Sequence, residues 1–306
     1  MTTLENMMET VLILGATGNI GGLASERLTA HGGVRLRLAS SREAGLATLA
    51  ERFPDAEIVQ ADWNDELSLE KAMRGVSRVL VVTPDFVTDE QIVTPNIIRA
   101  AKAAGSIDQI VRLIAIPPGL TAEKLTQRFL DTRCGANLHV VAKPLFDASG
   151  LPMTYVNVPG WIMFNLPWFL APEVKARRQL AMPAVTDAER MWISEGDIAD
   201  VIAAILTVPA ADHVGVEHIL TASARYDYSA IARILGDELG SEVRFVDDDG
   251  PLRDAMGEAF DTLMTYFEHE TQAYGGVEHS ETIAQLLGRP QESVQDYIKA
   301  NRELFV

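Results

Sequence analysis

Two groups of residues have types and spacings that could do chemistry. In "NLHVVAKPLFDASG" (137–150), His139 and Lys143 stand four residues apart. On a helix that spacing puts both on one face, an imidazole able to move a proton near neutral pH beside a fixed cation. Pro144 cannot donate to the Val140 carbonyl and biases Lys143 away from the helical basin. The segment should therefore kink there, or restart as a helix at Pro144. The second group lies in "VLILGATGNIGG" (11–22), where Gly15, Gly18 and Gly21 follow an apolar run and open a helical stretch. In that context Gly15 permits a tight turn and Gly18 lets N–H groups approach a pyrophosphate at the positive helix end. Gly21 allows close helix–strand packing. Thr17, Asn19 and Ile20 share this candidate dinucleotide cradle. A tight turn without a ligand is the plainer reading of the same glycines.

The elements that must position these groups follow an alternating pattern. Apolar runs at 11–14, 34–39, 56–60, 78–83, 109–115 and 153–158 read as strands, with helical stretches such as 19–31 and 89–105 between them. This rhythm predicts an α/β fold, a doubly wound parallel sheet of Rossmann type, over residues 1–160. Residues 161–306 read as a smaller α/β part on the substrate side, some segments of which return to the sheet. Within it, "WIMFNLPWFLAP" reads as a loop or short irregular helices. Residues 196–209 and 227–240 read as helices, 216–221 as a strand, and 252–304 as mostly helical.

Composition narrows the function classes. Of 306 residues, 47% are apolar and 23% charged, ordinary for a globular enzyme. A net charge of -17 repels phosphate backbones, and the densest basic group, "KARRQ" at 175–179, holds only three charges. No nucleic-acid partner is expected. Cys134 is the only cysteine, so no internal disulfide can form and a cytoplasmic setting is expected. Residues 1–9 are polar and acidic and the next apolar run is too short for a leader. No segment approaches membrane-spanning length. The six scattered histidines show no ligand spacing, so no metal is expected.

At the end of the second strand an NAD site usually carries Asp or Glu for the ribose 2′-OH. Here the strand ends "LASSRE", which places Ser40, Ser41 and Arg42 there. Without a carboxylate a 2′-phosphate is not repelled, and Arg42 offers it a charge-assisted partner, favouring NADP(H) over NAD(H). Ser40 or Ser41 could equally cap the next helix.

The glycine spacing is similar to that of short-chain dehydrogenases, and "GATGNIGG" resembles their atypical branch. "QADWNDELSLEKAMRGVSRVLVVTP", "IIRAAKAAGSIDQIVRLIA", "DASGLPMTYVNVPGWIMFN", "DIADVIAAIL" and "LLGRPQESVQDYIKAN" resemble blocks of NmrA-like proteins, over nearly the whole chain. That family contains quinone reductases, a triphenylmethane-dye reductase and redox-sensing regulators. The resemblance implies adenine contacts from Asp62 and Trp63 after the third strand, and further cofactor contacts from Thr83 and Pro84. It also sets His139 where short-chain dehydrogenases carry a catalytic tyrosine, and Lys143 where they carry the lysine that holds the cofactor ribose. The serine that usually follows the fifth strand is missing, with Ile114, Ala115 and Ile116 in its place.

Three readings of the pair follow. His139 donates the proton; or hydride transfer needs no protein acid and water protonates the product; or the two residues are an ordinary helix surface. On the substrate side, Trp161, Phe164, Trp168 and Phe169 crowd the loop after the sixth strand, and Trp192 could join them. They either pack the second half onto the first or form flat apolar walls for an aromatic or quinone-like ligand. The leading expectation is an NADPH-dependent reductase acting on an aromatic, quinone-like or conjugated carbonyl or imine compound. The alternative is a non-catalytic NADP(H) sensor acting through a protein partner.

Overall fold

Apolar β-branched runs separated by amphipathic stretches fold as alternating strands and helices. The computed structural model describes residues 8–306; residues 1–7, which entered the leader reading, lie outside the described residues. β1 (Thr10–Leu14) passes through the glycine turn into α1 (Asn19–His31), followed by β2 (Arg35–Ser40), α2 (Glu43–Arg52) and β3 (Glu57–Gln60). Next come α3 (Glu66–Met73), β4 (Arg78–Val81), α4 (Glu90–Ala104) and β5 (Gln109–Ile114). The short α5 (Gln127–Leu130) and α6 (Ala136–Asp147) precede β6 (Met153–Asn157).

The second half adds β7 (Trp161–Ile162), α7 (Asn165–Arg177), β8 (Gln179–Met182), β9 (Arg190–Ile193) and α8 (Glu195–Leu206). β10 (Glu217–Ile219), β11 (Arg225–Tyr226), α9 (Tyr228–Leu239) and β12 (Arg244–Asp247) follow. The chain closes with α10 (Gly250–Met256), α11 (Phe260–Gly275), α12 (Thr282–Leu287) and α13 (Val294–Ala300).

The main sheet has seven strands in the order β10-β6-β5-β4-β1-β2-β3, and every neighbouring pair is parallel. Its central strands β1, β4, β5 and β6 are buried along their whole length, as helices on both faces require. Strand order reverses between β1 and β4, so a crevice opens at the carboxyl ends of those two strands. β10 comes from the second half yet pairs with β6, and α8 packs on α1. Two small sheets, β11-β9-β7 and β12-β8, complete the fold.

Proline placement departs twice from the sequence reading. The segment expected to be irregular is β7 followed by α7. Pro167 falls in the first turn of α7, where its missing N–H has no intrahelical partner to lose, and Pro172 is carried inside the helix. α6 likewise continues through Pro144 without restarting, because Leu138, Val140, Ala142 and Phe146 bury its apolar face.

Two ion pairs are buried in this framework. Arg112 of β5 pairs with Glu90 of α4, and both side chains are almost fully excluded from solvent. Arg190 of β9 pairs with Glu270 of α11 (Nε···Oε1 2.6 Å), and the other Glu270 oxygen accepts the Trp161 indole N–H at 3.1 Å. Removing one member of a buried pair strands the other charge. Glu270→Leu should therefore lower unfolding free energy by about 3–5 kcal/mol, read as a fall in urea midpoint at constant slope. A loss under about 1 kcal/mol would show that Arg190 does not depend on this partner.

Candidate functional site

A cleft of about 1120 Å³ runs along the carboxyl ends of the central strands. Its first half is built by the β1–α1 turn. Gly15 adopts φ 99°, and a Cβ there would lie 2.3 Å from the Val82 carbonyl oxygen, so only glycine lets β1 and β4 approach this closely. Gly18 caps α1 with no side-chain hydrogen bond, and no acidic residue sits in the first turn. By contrast, the starts of α4, α8 and α9 are capped by Asp89, Ser194 and Asp227. The open N–H groups at the start of α1 thus face the cleft wall that Gly18, Asn19 and Ile20 help to form. Such an end fits a pyrophosphate.

Gly15, Thr17, Gly18, Asn19, Ile20, Ser40, Arg42, Trp63, Thr83 and Pro84 all line this cleft. Arg42 is exposed, and its guanidinium makes no ion pair among the described residues. Ser40 does not cap α2 as its sequence position suggested. Its hydroxyl accepts the Arg42 N–H at 3.2 Å, and Arg42 itself stands at the N-cap. Thr83 is anchored below by Glu90 (2.9 Å) and Arg112 (2.6 Å). Asp62 is the exception. Its carboxylate turns back to accept the Asn64 N–H at 2.9 Å, so the cleft wall there is made by Ala61 and Trp63 instead.

The second half of the cleft is apolar. Trp161, Phe164, Trp168 and Phe169 line it. Trp161 stacks on Phe267 (5.2 Å), and Trp168, about half exposed at the mouth, stacks on Phe169 (4.6 Å). Trp192 stands behind this wall. It is 1% exposed, tilts against Trp161, and spends its indole N–H on the Tyr226 carbonyl at 3.1 Å.

The structure separates His139 from Lys143. His139 is buried in α6 and reaches the cleft wall, so it is no helix-surface residue. Its Nδ1 accepts the Ala115 N–H at 3.0 Å, which assigns the ring proton to Nε2. Burial, reinforced by the nearby Arg112 charge, holds its pKa well below the usual histidine range. A neutral imidazole can donate a hydrogen bond there, but it holds no imidazolium proton to give at pH 7. Lys143 lies outside the cleft wall. Its ammonium pairs with Asp147 (2.9 Å) and Glu217 (3.6 Å) and sits over the Tyr155 ring at 4.5 Å. In this structure the Lys143 charge is spent on these partners, away from the cleft lining where a cofactor-ribose contact was expected.

Several groups in the cleft escaped the sequence reading. Asp85, directly after Pro84, faces the cleft and accepts the Gly135 N–H at 3.1 Å. Its side chain is exposed to solvent in the cleft. Crowding by protein on its other sides pushes its pKa up to about 6, against the lowering effect of Gly135, Cys134 and Arg112. Tyr266 and Tyr274 descend from α11, their hydroxyls 3.0 Å apart. Tyr274 donates to the Ala115 carbonyl at 2.8 Å and accepts the Ala136 N–H at 3.2 Å. Its hydroxyl therefore engages the backbone where the missing serine was expected. The available signal was the spacing of Leu263, Phe267, Glu270 and Tyr274, which sets a carboxylate on an otherwise apolar helix face.

Comparison with known proteins agrees with this architecture. The (4-alkanoyl-5-oxo-2,5-dihydrofuran-3-yl)methyl phosphate reductase of Streptomyces griseus is 28% identical, covering 96% of this chain and 99% of its own. The Escherichia coli NADPH-dependent quinone oxidoreductase, solved with NADPH, superposes with a TM-score of 0.76 at 22% identity, covering 95% and 99% of the two chains. NmrA, a negative transcriptional regulator solved with NADP, superposes with a TM-score of 0.73 at 18% identity, covering 95% and 94%. The sequence model of the NmrA-like family matches residues 7–285, and the chain belongs to that family.

Proposed function

We propose that this chain is an NADPH-dependent reductase that delivers hydride to a conjugated carbonyl or quinone-like small molecule. The observation that carries the reading is the two-ended cleft. One end offers open helix N–H groups and Arg42, and the other continues between aromatic rings. A sensor of cofactor redox state requires only the first end. The names of the Streptomyces griseus and Escherichia coli relatives, both reductases, support the same choice.

When bound, the dihydronicotinamide would supply the hydride. The first turn of α1 would hold the pyrophosphate, Arg42 with Ser40 and Ser41 the 2′-phosphate, and Trp63 would flank the adenine end. Trp161, Phe164 and Trp168 would sandwich the acceptor and exclude water from it. His139 offers Nε2–H as a fixed neutral donor. Lys143, tied to Asp147 and Glu217, contributes to the sheet edge instead of the reaction.

The deciding experiment follows NADPH consumption at saturating cofactor across quinones, enones, aromatic ketones and imines. Turnover with an enone or quinone is the expected result; silence across the panel, with NADPH binding confirmed, would favour a sensor. Arg42→Ala should weaken NADPH by about 1.5–3 kcal/mol, the worth of a charged hydrogen bond, and leave NADH unchanged. An equal loss for both would sink the phosphate assignment. His139 should remain neutral as pH falls through the ordinary histidine range, visible as a ring resonance that does not shift there. Its folded pKa is depressed, so the unfolded chain binds the extra proton first. Stability is complete above about 6.5 and falls as pH drops below it. His139→Gln should flatten that acid-side loss.

A further inference from the structure

We propose that Asp85 is the proton donor to the substrate oxygen, presented by the loop at the carboxyl end of β4. The assignment rests on the reductase reading above and adds the acid that reading lacks.

The loop is built to hold one carboxyl in the cleft. Phe86 takes φ 67°, a left-handed conformation uncommon for an aromatic residue, and its N–H donates to the Arg133 carbonyl at 2.6 Å. Gly135 answers with φ 49° and donates its N–H to Asp85 Oδ1. A Cβ at Gly135 would fall 2.3 Å from the Tyr266 hydroxyl oxygen, so the contact demands glycine. Cys134 Sγ lies 3.8 Å from Asp85 Oδ2. Two segments distant in sequence are thereby strained and packed to fix one side chain.

The other titratable groups of the cleft are weak acids, although His139 keeps a neutral Nε2–H that can donate a hydrogen bond. His139 is neutral with Nδ1 occupied, and the Tyr274 proton goes to the Ala115 carbonyl. Burial raises the Tyr266 and Cys134 pKa values well above their usual ranges, which makes both poor acids. The charged groups facing Asp85 or sharing its wall are Arg112 from β5, Arg133 before α6, and Asp89 at the start of α4. Arg112 is held by Glu90, and Arg133 by Asp89 at 2.8 Å. Asp85 is open to solvent in the cleft, so crowding by protein lifts its carboxyl only part of the way. Filling the cleft with an anionic cofactor and a flat apolar acceptor removes more water and raises the protonated fraction further.

The step balances. The electron-poor carbon gains a C–H bond from the hydride and its electron pair, and the displaced π pair moves through the conjugated system to oxygen. That oxygen forms its O–H bond as the Asp85 O–H bond breaks, so the acceptor is reduced by two electrons as the bound cofactor is oxidised. A conjugated ketone leaves as its enol. A quinone leaves as the keto tautomer of its hydroquinone, which aromatises when water takes one proton from the reduced carbon and another reaches the second oxygen, and solvent returns a proton to Asp85.

The test compares full-length wild type, Asp85→Asn and Asp85→Glu in NADPH-dependent reduction of the best enone or quinone, from pH 5 to 9. Wild-type kcat should fall as pH rises through the acid's pKa, because only protonated Asp85 can donate. Asp85→Asn should lose about 10²–10⁴-fold in kcat, lose that alkaline decline, and keep wild-type NADPH affinity as proof of an intact fold. Asp85→Glu should recover part of the rate and the pH dependence. An Asn variant within about threefold of wild type, with the same alkaline decline, would overturn the donor assignment alone. Wild type inert to every acceptor would overturn the reductase reading and this assignment with it.

Discussion

Glu270 is one carboxylate with no access to solvent, and the substrate end of the cleft depends on it. One oxygen takes the Arg190 guanidinium and the other the Trp161 indole N–H, joining α11, β9 and β7 at a single point. Burying that charge is costly, and the ion pair with its added hydrogen bonds offsets the cost only in this geometry. Arg190 also lies 5.3–5.6 Å from the centroids of the Trp161, Tyr228 and Phe267 rings, so the aromatic cluster has a cation at its centre. The consequence is positional. Trp161 reaches the cleft wall in one orientation because a charge pair outside the cleft holds its far edge.

The other buried pair works from below. Arg112 anchors Thr83 and Glu90 beneath the β4 loop, and its field adds to burial in lowering the His139 pKa while opposing the rise in the Asp85 pKa. Glu90 neutralises Arg112, so the cleft floor carries a buried ion pair and no net charge. Burial weighs most against a protonated histidine there and Arg112 adds to it, whereas the exposed Asp85 carboxyl is tolerated in either state. On the proposal above, this favours the aspartate of the neighbouring loop over His139 as the acid.

The parallel sheet and the glycine turn were legible because both rest on local rules. Buried central strands read as continuous apolar runs, and Gly15 answers a steric demand set within one βα unit. The pairing of His139 with Lys143 was not legible. Positions i and i+4 are offset by about 40° around a helix, and the edge of the cleft falls inside that arc. Lys143 is turned outward first by Asp147, one turn on in the same helix, and then by Glu217 once β10 has paired with β6. The Asp147 partner stood in the spacing of 137–150, whereas the Glu217 contact is a long-range fact that spacing does not carry. Trp192 was misplaced for a similar reason. Its strand β9 runs beside β7, so its ring backs Trp161 and does not join it at the cleft. The same holds for Asp85, since its carboxyl acquires its character only when Gly135 and Cys134 fold over it.

Charge is distributed so that the two ends of the cleft ask for different molecules. A chain of net charge -17 can hold an anionic dinucleotide only where a local positive field prevails, and that field comes from the start of α1 and from Arg42. Toward the aromatic end the cations are already spent, Arg133 on Asp89 and Lys143 on Asp147 and Glu217. What remains there is stacked ring surface, neutral hydrogen-bond donors and one carboxyl. An acceptor with its own negative charge would meet Asp85 without a compensating cation, while a neutral flat acceptor would lose little by leaving water. On the function proposed above, this separation of charge favours an acceptor that brings no further negative charge to the Asp85 end.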